Sequence, residues 1–499
     1  MIPRRTLVLL LASLIGAAPL RAQSPFWAGL RPGPFAVGFR SVDTVDATRS
    51  FPGPAGISLP RPMRLYVWYP SSGAAAKPVM LRDLIPEAWS NGGVFVPTDT
   101  LAFGRTVVRG RSGATPATMT DAQADDLLAL PLYARWNAAP VANRFPVVLL
   151  APGQPLTMPV AAEYLASLGM VVIGISRKDG QSFESLSFTP NPASLDAESA
   201  DLAFALGFAR GRSNADASRV GMLGYSSSGL SLLGFAFRNA TPRAVAVFEG
   251  WEGWHIGQSV VRELPGYDPI AFRAAYLSIQ KASEEPIPAM QKTSAFLDSV
   301  VYSRRTRASF DEAIHTDFAT FGVAREHSPA TQRRNFVAAH ELLASFMSGE
   351  LASSGRVAAP SESTWLKVET RGARPAIPTV AEFFHLAEVD PIAADALAGR
   401  LATMGIVPFS EGSLSRLAQI AKARDPRASA TLYGIVARGF PASFRAQAVL
   451  SDALFDIGRI EEAQAAARSA IHLGQGASNV SDPVSLDLMR RMRERAGFP

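Results

Sequence analysis

The sequence of 499 residues contains no cysteine. This absence excludes disulfide bonds, a thiol nucleophile and any zinc or iron–sulfur site built on thiolates. Charge is also scarce: charged residues make up 18% of the chain and apolar residues 47%, a balance typical of a folded protein and not of a disordered one. The formal net charge is +6, and no run of lysine or arginine offers a local surface for phosphates. We therefore expect no nucleic-acid partner.

Long apolar runs are missing as well, and without a stretch of about 18 apolar residues we expect no transmembrane segment. A shorter apolar run, residues 7–18, follows Arg4 and Arg5 and is followed by Ala22. A basic start, a short apolar core and a small residue near the exit are typical of a secretory signal peptide. We predict that residues 1–22 are such a leader and that the protein is exported, to a periplasm or out of the cell.

Residues 24–352 alternate short apolar runs with amphipathic stretches. Such alternation predicts an α/β domain whose mostly parallel sheet is covered by helices on both faces. Ligands of such sheets gather at the carboxyl ends of the strands. The predicted strands are 64–70, 145–151, 170–175, 220–224 and 244–248, and the clearest helices are 160–168 and 196–210.

Two further segments differ from this pattern. Residues 92–142 are rich in Thr, Ala and Gly and contain an apolar cluster at 127–133; an insertion of this length is either a lid over the site or a surface addition. Residues 353–364 have the composition of a linker. Beyond them we predict a smaller all-α domain, residues 365–499, in which Leu450, Leu454, Gly458 and the alanines of 463–470 resemble one tetratricopeptide repeat. A tail of this kind offers a surface for a protein partner.

The most informative segment is 219–230, where a buried strand leads through a tight turn into a helix. Gly224-Tyr225-Ser226 has the G-x-S pattern of a nucleophile elbow, which presents the serine hydroxyl at the carboxyl edge of the sheet. Ser228 stands where that motif usually has a second glycine. The alternative is a plain capping turn, since serine favours helix N-termini. We predict Ser226 as the nucleophile, ahead of Ser227 and Ser228.

A serine nucleophile needs a base, which is most often histidine. His315 follows a predicted strand, 307–310, and lies downstream of the serine, as the Ser–acid–His chain order of such folds requires. We predict His315 as the base, with His255 as a second candidate.

The third group must be a carboxylate that orients the imidazole. Glu249 directly follows the apolar strand 244–248, so it is placed rigidly at the same edge of the sheet, and we predict it as the acid. Glu252, Glu284 and Glu285 remain alternatives.

An oxyanion needs two N–H donors. Ser227, behind the nucleophile, supplies one. The other should come from the turn at 151–155, where Pro152 and Pro155 have no N–H; Gln154 is the best donor there and Gly153 the next. The histidines do not have the spacing of metal ligands, and no metal or organic cofactor is expected.

Together these segments resemble the α/β-hydrolase fold and, within it, the esterases similar to platelet-activating-factor acetylhydrolase and dienelactone hydrolase. The likeness covers residues 35–350. Glu249-Gly250-Trp251 looks like the acid segment of the acetylhydrolases, with Glu for Asp, and Pro152 and Ser228 replace the family's usual His and Gly. The other positions that carry the likeness are 65–70, 148–153, 201–206, Gly224–Ser226 and His315 with Phe318.

The resemblance implies an exported serine hydrolase that cleaves short-chain or lipid-like carboxylic esters without a cofactor. Two alternatives remain open at this point. One is an amidase or peptidase on the same fold. The other is a catalytically inactive binding protein whose helical tail recruits a partner.

Overall fold

The structure is a computed structural model, and it describes residues 24–52, 57–73, 76–85, 100–111, 116–176, 191–323, 329–374, 377–475 and 482–497. The predicted leader, residues 1–22, lies outside the described residues. The chain divides into two compact units, one ending at Arg374 and the other beginning at Pro375.

In the described residues, eleven strands form one sheet in the order β11-β10-β9-β8-β7-β5-β6-β2-β1-β4-β3. Strands β5 to β10 are parallel to one another, and β2 is antiparallel to both of its neighbours. Helices cover both faces. This architecture, with an all-α C-terminal unit, confirms the predicted α/β-hydrolase fold. The strands are β1 Ala36–Pro52, β2 Ser58–Ser71, β3 Pro78–Met80, β4 Pro131–Trp136, β5 Phe145–Leu150, β6 Val171–Ile175, β7 Ala215–Tyr225, β8 Pro242–Phe248, β9 Ala275–Lys281, β10 Arg305–Phe310 and β11 Leu366–Arg371.

The central strands are apolar on both faces because each face is buried by helices. Val148 and Leu150 of β5 belong to one core, and Val147 and Leu149 to the other, as the two-residue period of a strand requires. Helices α3 and α9 pack in the first core, and α4 and α5 in the second. The helices of this unit are α1 Thr100–Arg111, α2 Asp121–Leu128, α3 Pro159–Ser167, α4 Pro192–Arg210, α5 Gly229–Arg238, α6 His255–Glu263, α7 Ala295–Ser299, α8 Thr320–Val323 and α9 Ala330–Leu351.

The described part of the 92–142 insertion belongs to the sheet and its core. Leu127, Leu128 and Leu132 are buried in the first core, and β4 pairs with β1 and β3. Five inter-strand steps separate β4 from β7, which at ~4.8 Å each is about 24 Å. The apolar cluster that could have formed a lid over the predicted serine is therefore a structural element at the far edge of the sheet.

The expected boundary between the domains is displaced. Residues 366–371, predicted to begin the helical domain, form β11, which pairs antiparallel with β10. Leu366 is fully buried, and the Asp311 N–H donates to the Trp365 carbonyl at 2.9 Å. The first unit thus extends through the predicted linker, because β10 would otherwise be an unpaired edge.

The C-terminal unit consists of helices, most of which pack against their neighbours in the sequence. The segment that resembles a tetratricopeptide repeat forms a hairpin whose two helices are separated by Gly458, at φ +78°. The preceding hairpin begins at an N-cap, Ser410, that lies 33 residues before the equivalent N-cap Ser443. Membership of the repeat family stays a prediction. The helices are α10 Val380–Val389, α11 Pro391–Ala402, α12 Glu411–Lys422, α13 Pro426–Gly439, α14 Phe444–Asp456, α15 Ile460–Gln475 and α16 Pro483–Ala496.

The position of β11 makes the stability of truncated chains a test of the boundary. A chain of residues 24–374 should unfold as the intact unit does. A chain of residues 24–362 should lose about 2–4 kcal/mol of unfolding free energy, because the buried Leu366 and the strand that covers β10 are removed. Urea unfolding measures both. Equal stability of the two chains would contradict this boundary.

Candidate active site

Ser226 lies at the carboxyl end of β7, where the chain turns sharply. Its φ is +58°, a left-handed conformation that non-glycine residues adopt only when the surrounding structure enforces it. A short helical turn, Ser226–Ser228, then runs directly into α5. The strand, turn and helix are those predicted from the sequence, and they set Ser226 at the apex of the elbow.

Close packing explains which small residues the elbow needs. A Cβ added at Gly224 would lie 2.9 Å from Leu232 Cδ1, and one added at Gly229 would lie 2.5 Å from Val247 Cγ1. Ser228, the departure from the usual motif, is buried, and its hydroxyl donates to the Tyr225 carbonyl at 2.8 Å. The close approach of the helix to the strand therefore depends on Gly229, one position after the glycine of the usual motif. Ser228 closes the turn.

Glu249 follows β8 and is fully buried. Its φ is +52°, and its N–H donates to the Ile279 carbonyl of β9 at 2.7 Å. One carboxylate oxygen, Oε1, accepts the backbone N–H of Lys281 at the end of β9. The other, Oε2, lies 3.1 Å from Nδ1 of His315. Because a carboxylate only accepts hydrogen bonds, the proton of this contact belongs to Nδ1, which leaves Nε2 as the acceptor nitrogen.

His315 begins a short helical turn, His315–Phe318, in the loop after β10. Asp317 holds this turn, since its carboxylate accepts the Ile314 N–H at 3.2 Å and the Asn335 amide at 3.1 Å. Tyr225, the residue before the predicted nucleophile, donates its hydroxyl to the His315 carbonyl at 2.8 Å. The two rings lie 4.9 Å apart between centroids. The imidazole is thus tied to the elbow as well as to Glu249.

The alternative base, His255, and the alternative acids Glu284 and Glu285 lie outside the arrangement of Ser226, His315 and Glu249. His255 begins α6 and is exposed. Glu284 accepts the Lys292 N–H at 2.9 Å, and Glu285 pairs with the Lys281 side chain. Among the hydrogen bonds of the described residues there is none between the Ser226 hydroxyl and His315, a contact that in ligand-free hydrolases is often closed only when substrate binds.

The backbone N–H of Gln154, predicted as an oxyanion donor, is already engaged in a hydrogen bond. Its N–H donates to the Ala151 carbonyl at 3.1 Å, and the Gly153 N–H donates to the Ile175 carbonyl at 2.9 Å. Ala151-Pro152-Gly153-Gln154 has proline at the second and glycine at the third position, with Gly153 at φ +77°. That pattern is the signature of a type II turn, whose closing bond uses the fourth N–H, so the sequence already contained the signal.

The side chain of Gln154 nevertheless reaches the elbow. It is buried, and its amide Nε2 lies 3.5 Å from the Tyr225 carbonyl, at the outer limit of a hydrogen bond. Its Oε1 has no partner in the part of the chain that the structure describes. The carboxamide is therefore the polar group of this turn that lies next to the residue preceding Ser226.

Glu252, an alternative acid, has a different environment. It is buried, and the Tyr276 hydroxyl donates to its carboxyl group. Burial raises the pKa of Glu252 from 4.5 to about 7, and the nearby charge of Glu249 acts in the same direction. Glu252 therefore packs against the elbow, since a Cβ added at Gly229 would lie 3.2 Å from its Oε2.

In the described ranges, no three His, Asp or Glu side chains come together as metal ligands. Within those same ranges, none of the helices has the length and apolar character needed to cross a bilayer.

The raised pKa of Glu252 gives a pH dependence of stability. Between pH 4.5 and 7 the folded chain keeps a proton that the unfolded chain has lost, so unfolding free energy falls as pH rises through this window. The loss of unfolding free energy is absent below pH 4.5 and complete above pH 7. Glu252→Gln should remove this loss. The difference in unfolding free energy between Glu252→Gln and wild type should therefore be about 2–3 kcal/mol more favourable to the variant at pH 8 than at pH 4.5. Urea unfolding at both pH values checks this, and a pH-independent difference would contradict it.

No protein-family model matches the chain, and no curated protein matches it. Among solved structures, it is similar to a ferulic acid esterase from Streptomyces cinnamoneus, at 18% identity and a TM-score of 0.44. The match covers 64% of this chain and 91% of that one.

Proposed function

We propose that this protein is a serine hydrolase that cleaves carboxylic esters. The observation that carries the proposal is the 3.1 Å contact between His315 Nδ1 and Glu249 Oε2, made beside a serine held at φ +58°. A buried carboxylate, an imidazole fixed through its Nδ1 and a strained serine at the end of the preceding strand are the components of nucleophilic acyl transfer.

In the proposed mechanism, His315 takes the proton of Ser226 through Nε2 as the serine oxygen attacks the ester carbonyl. Glu249 holds the tautomer and stabilises the imidazolium that forms. The protonated imidazole then gives its proton to the departing alcohol. Water, deprotonated by the same imidazole, hydrolyses the acyl-enzyme and releases the acid.

The oxyanion needs donors that do not move. Ser227 lies in the first turn of a helix, where N–H groups have no acceptor within the helix, so its N–H is one donor. Because the N–H groups of Gly153 and Gln154 already bind the carbonyls of Ile175 and Ala151, the second donor in this proposal is the Gln154 carboxamide.

Export and substrate class belong to the same proposal. The basic and apolar start of the sequence supports a cleaved leader, and the resemblance to acetylhydrolase-like esterases supports short-chain or lipid-like acyl groups. The C-terminal hairpins support a role for that unit in binding a protein partner.

Covalent labelling with a fluorophosphonate tests the nucleophile. Wild type should be labelled and should hydrolyse p-nitrophenyl butyrate, and Ser226→Ala should do neither. Ser227→Ala, which keeps the backbone donor, is the matched control and should still be labelled. An unlabelled wild type would favour the inactive binding protein, and hydrolysis of anilides but not esters would favour the amidase.

Substitution of the acid tests the triad. Glu249→Gln should lower kcat by about 10³-fold or more, because a neutral amide no longer fixes the tautomer or stabilises the imidazolium. Glu284→Gln, a change of the same kind in an exposed neighbour, should have a small effect. If Glu284→Gln lowers kcat more than Glu249→Gln does in steady-state assays, the acid is Glu284 and not Glu249.

The role of Gln154 is tested by changing only its side chain. Gln154→Leu should lower kcat by about 10²-fold with little change in KM, the effect of losing one oxyanion donor. Gln154→Asn should recover part of the rate. Full activity of Gln154→Leu would show that a different donor serves the oxyanion.

A further inference from the structure

Two buried hydrogen-bond donors near His315 take no part in the proposed mechanism. They are the indole Nε1 of Trp254 and the ammonium Nζ of Lys292, and neither has a hydrogen-bond partner in the described part of the chain. Trp254 is 3% exposed, and its ring centroid lies 5.8 Å from that of His315. Buried donors without acceptors are costly, so this pair requires an explanation.

The backbone brings the two side chains to one place. Trp254 and Lys292 are partners in an antiparallel bridge, flanked by hydrogen bonds from His255 to Gln291 at 3.0 Å and from Thr293 to Gly253 at 2.8 Å. In this pattern the paired residues are a non-hydrogen-bonded pair, whose side chains emerge on the same face and close together. Both side chains therefore lie on one face of the bridge, and that of Trp254 is beside the imidazole.

The neighbouring charges do not supply the missing acceptor. Both carboxylates near Lys292 are hydrogen-bonded elsewhere: that of Glu249 to His315, and that of Glu284 to the Lys292 backbone N–H. Burial lowers the pKa of Lys292 although these two carboxylates act to raise it. The charged groups that act on Lys292 are Glu249, Glu284, Arg307 and Lys281.

The chemistry of the pair selects its ligand. Indole and ammonium groups only donate hydrogen bonds, so the complementary group has acceptors only. A carboxylate gives one oxygen to each donor, and the resulting charge-assisted bonds are the stronger kind. We propose that Trp254 and Lys292 form a subsite for a carboxylate carried by the ester substrate. The inference rests on the proposed hydrolysis at Ser226 and narrows its substrates to esters with an anionic group.

Matched esters test the subsite. Mono-p-nitrophenyl glutarate and p-nitrophenyl valerate differ in a terminal carboxylate on the acyl side, and meta-acetoxybenzoate and meta-acetoxybenzamide differ in a carboxylate on the leaving side. For at least one pair, the anionic-to-neutral ratio of kcat/KM should fall about 10- to 100-fold in Lys292→Met, the range that one charge-assisted hydrogen bond supplies. Lys292→Arg should keep most of the ratio, and Trp254→Phe should lower it.

Lys77→Met makes the same change at the β3–β4 edge of the sheet and should leave the ratio as in wild type. Equal ratios in wild type and Lys292→Met for both pairs would overturn the subsite while ester hydrolysis itself stands.

A binding measurement separates this inference from the proposed function. On Ser226→Ala protein, isothermal titration should show tighter binding of the anionic member of the pair that the subsite accepts, and the added Lys292→Met change should abolish the difference. This readout needs no turnover, so it decides the subsite even if wild type proves inactive. No difference between anionic and neutral members of either pair would overturn the inference.

Discussion

The contact between the Glu249 carboxylate and His315 Nδ1 is the interaction on which the rest of the site depends. It joins residues 66 positions apart in the chain, and each comes from the end of a different strand. The strand between them also takes part, because the N–H of Lys281 at the end of β9 binds the second carboxylate oxygen. Three neighbouring strand ends thus fix one carboxylate, and the carboxylate fixes the orientation of the imidazole relative to the elbow on β7.

Hydrogen-bond satisfaction gives a consistent picture of the rest of the site. The N–H groups of Gly153 and Gln154 already bind the carbonyls of Ile175 and Ala151, so they are not available to a substrate. The buried donors of Trp254 and Lys292 have no partner among the described residues, and in the proposed subsite the substrate supplies the acceptor. Because burial without a partner is costly, unpaired donors beside the candidate triad are a guide to the chemistry of a ligand.

The sequence predicted the features that depend on local pattern. The apolar run of β8 ends at Glu249, and this abutment was sufficient to prefer Glu249 over the acids after β9. Features that depend on distant pairing could not be predicted in this way. Strand β11 has one buried residue, Leu366, and exists because β10 offers it an edge; β4 is joined to the sheet in the same manner. The engagement of the Gln154 N–H follows from the sequence itself, because Pro152-Gly153 predicts a type II turn whose closing bond uses that N–H.

The left-handed residues have a consequence for how this chain can change. Ser226, Glu249 and Glu312 have φ values of +58°, +52° and +58°, and each follows the carboxyl end of a strand. Such conformations cost about 1–3 kcal/mol apiece in a residue with a side chain and nothing comparable in glycine. Replacement of Ser226 by glycine would relieve this cost while removing the proposed nucleophile. In a lineage no longer selected for the proposed hydrolysis, position 226 is where glycine would accumulate first, and the resulting proteins would be more stable than their ancestor.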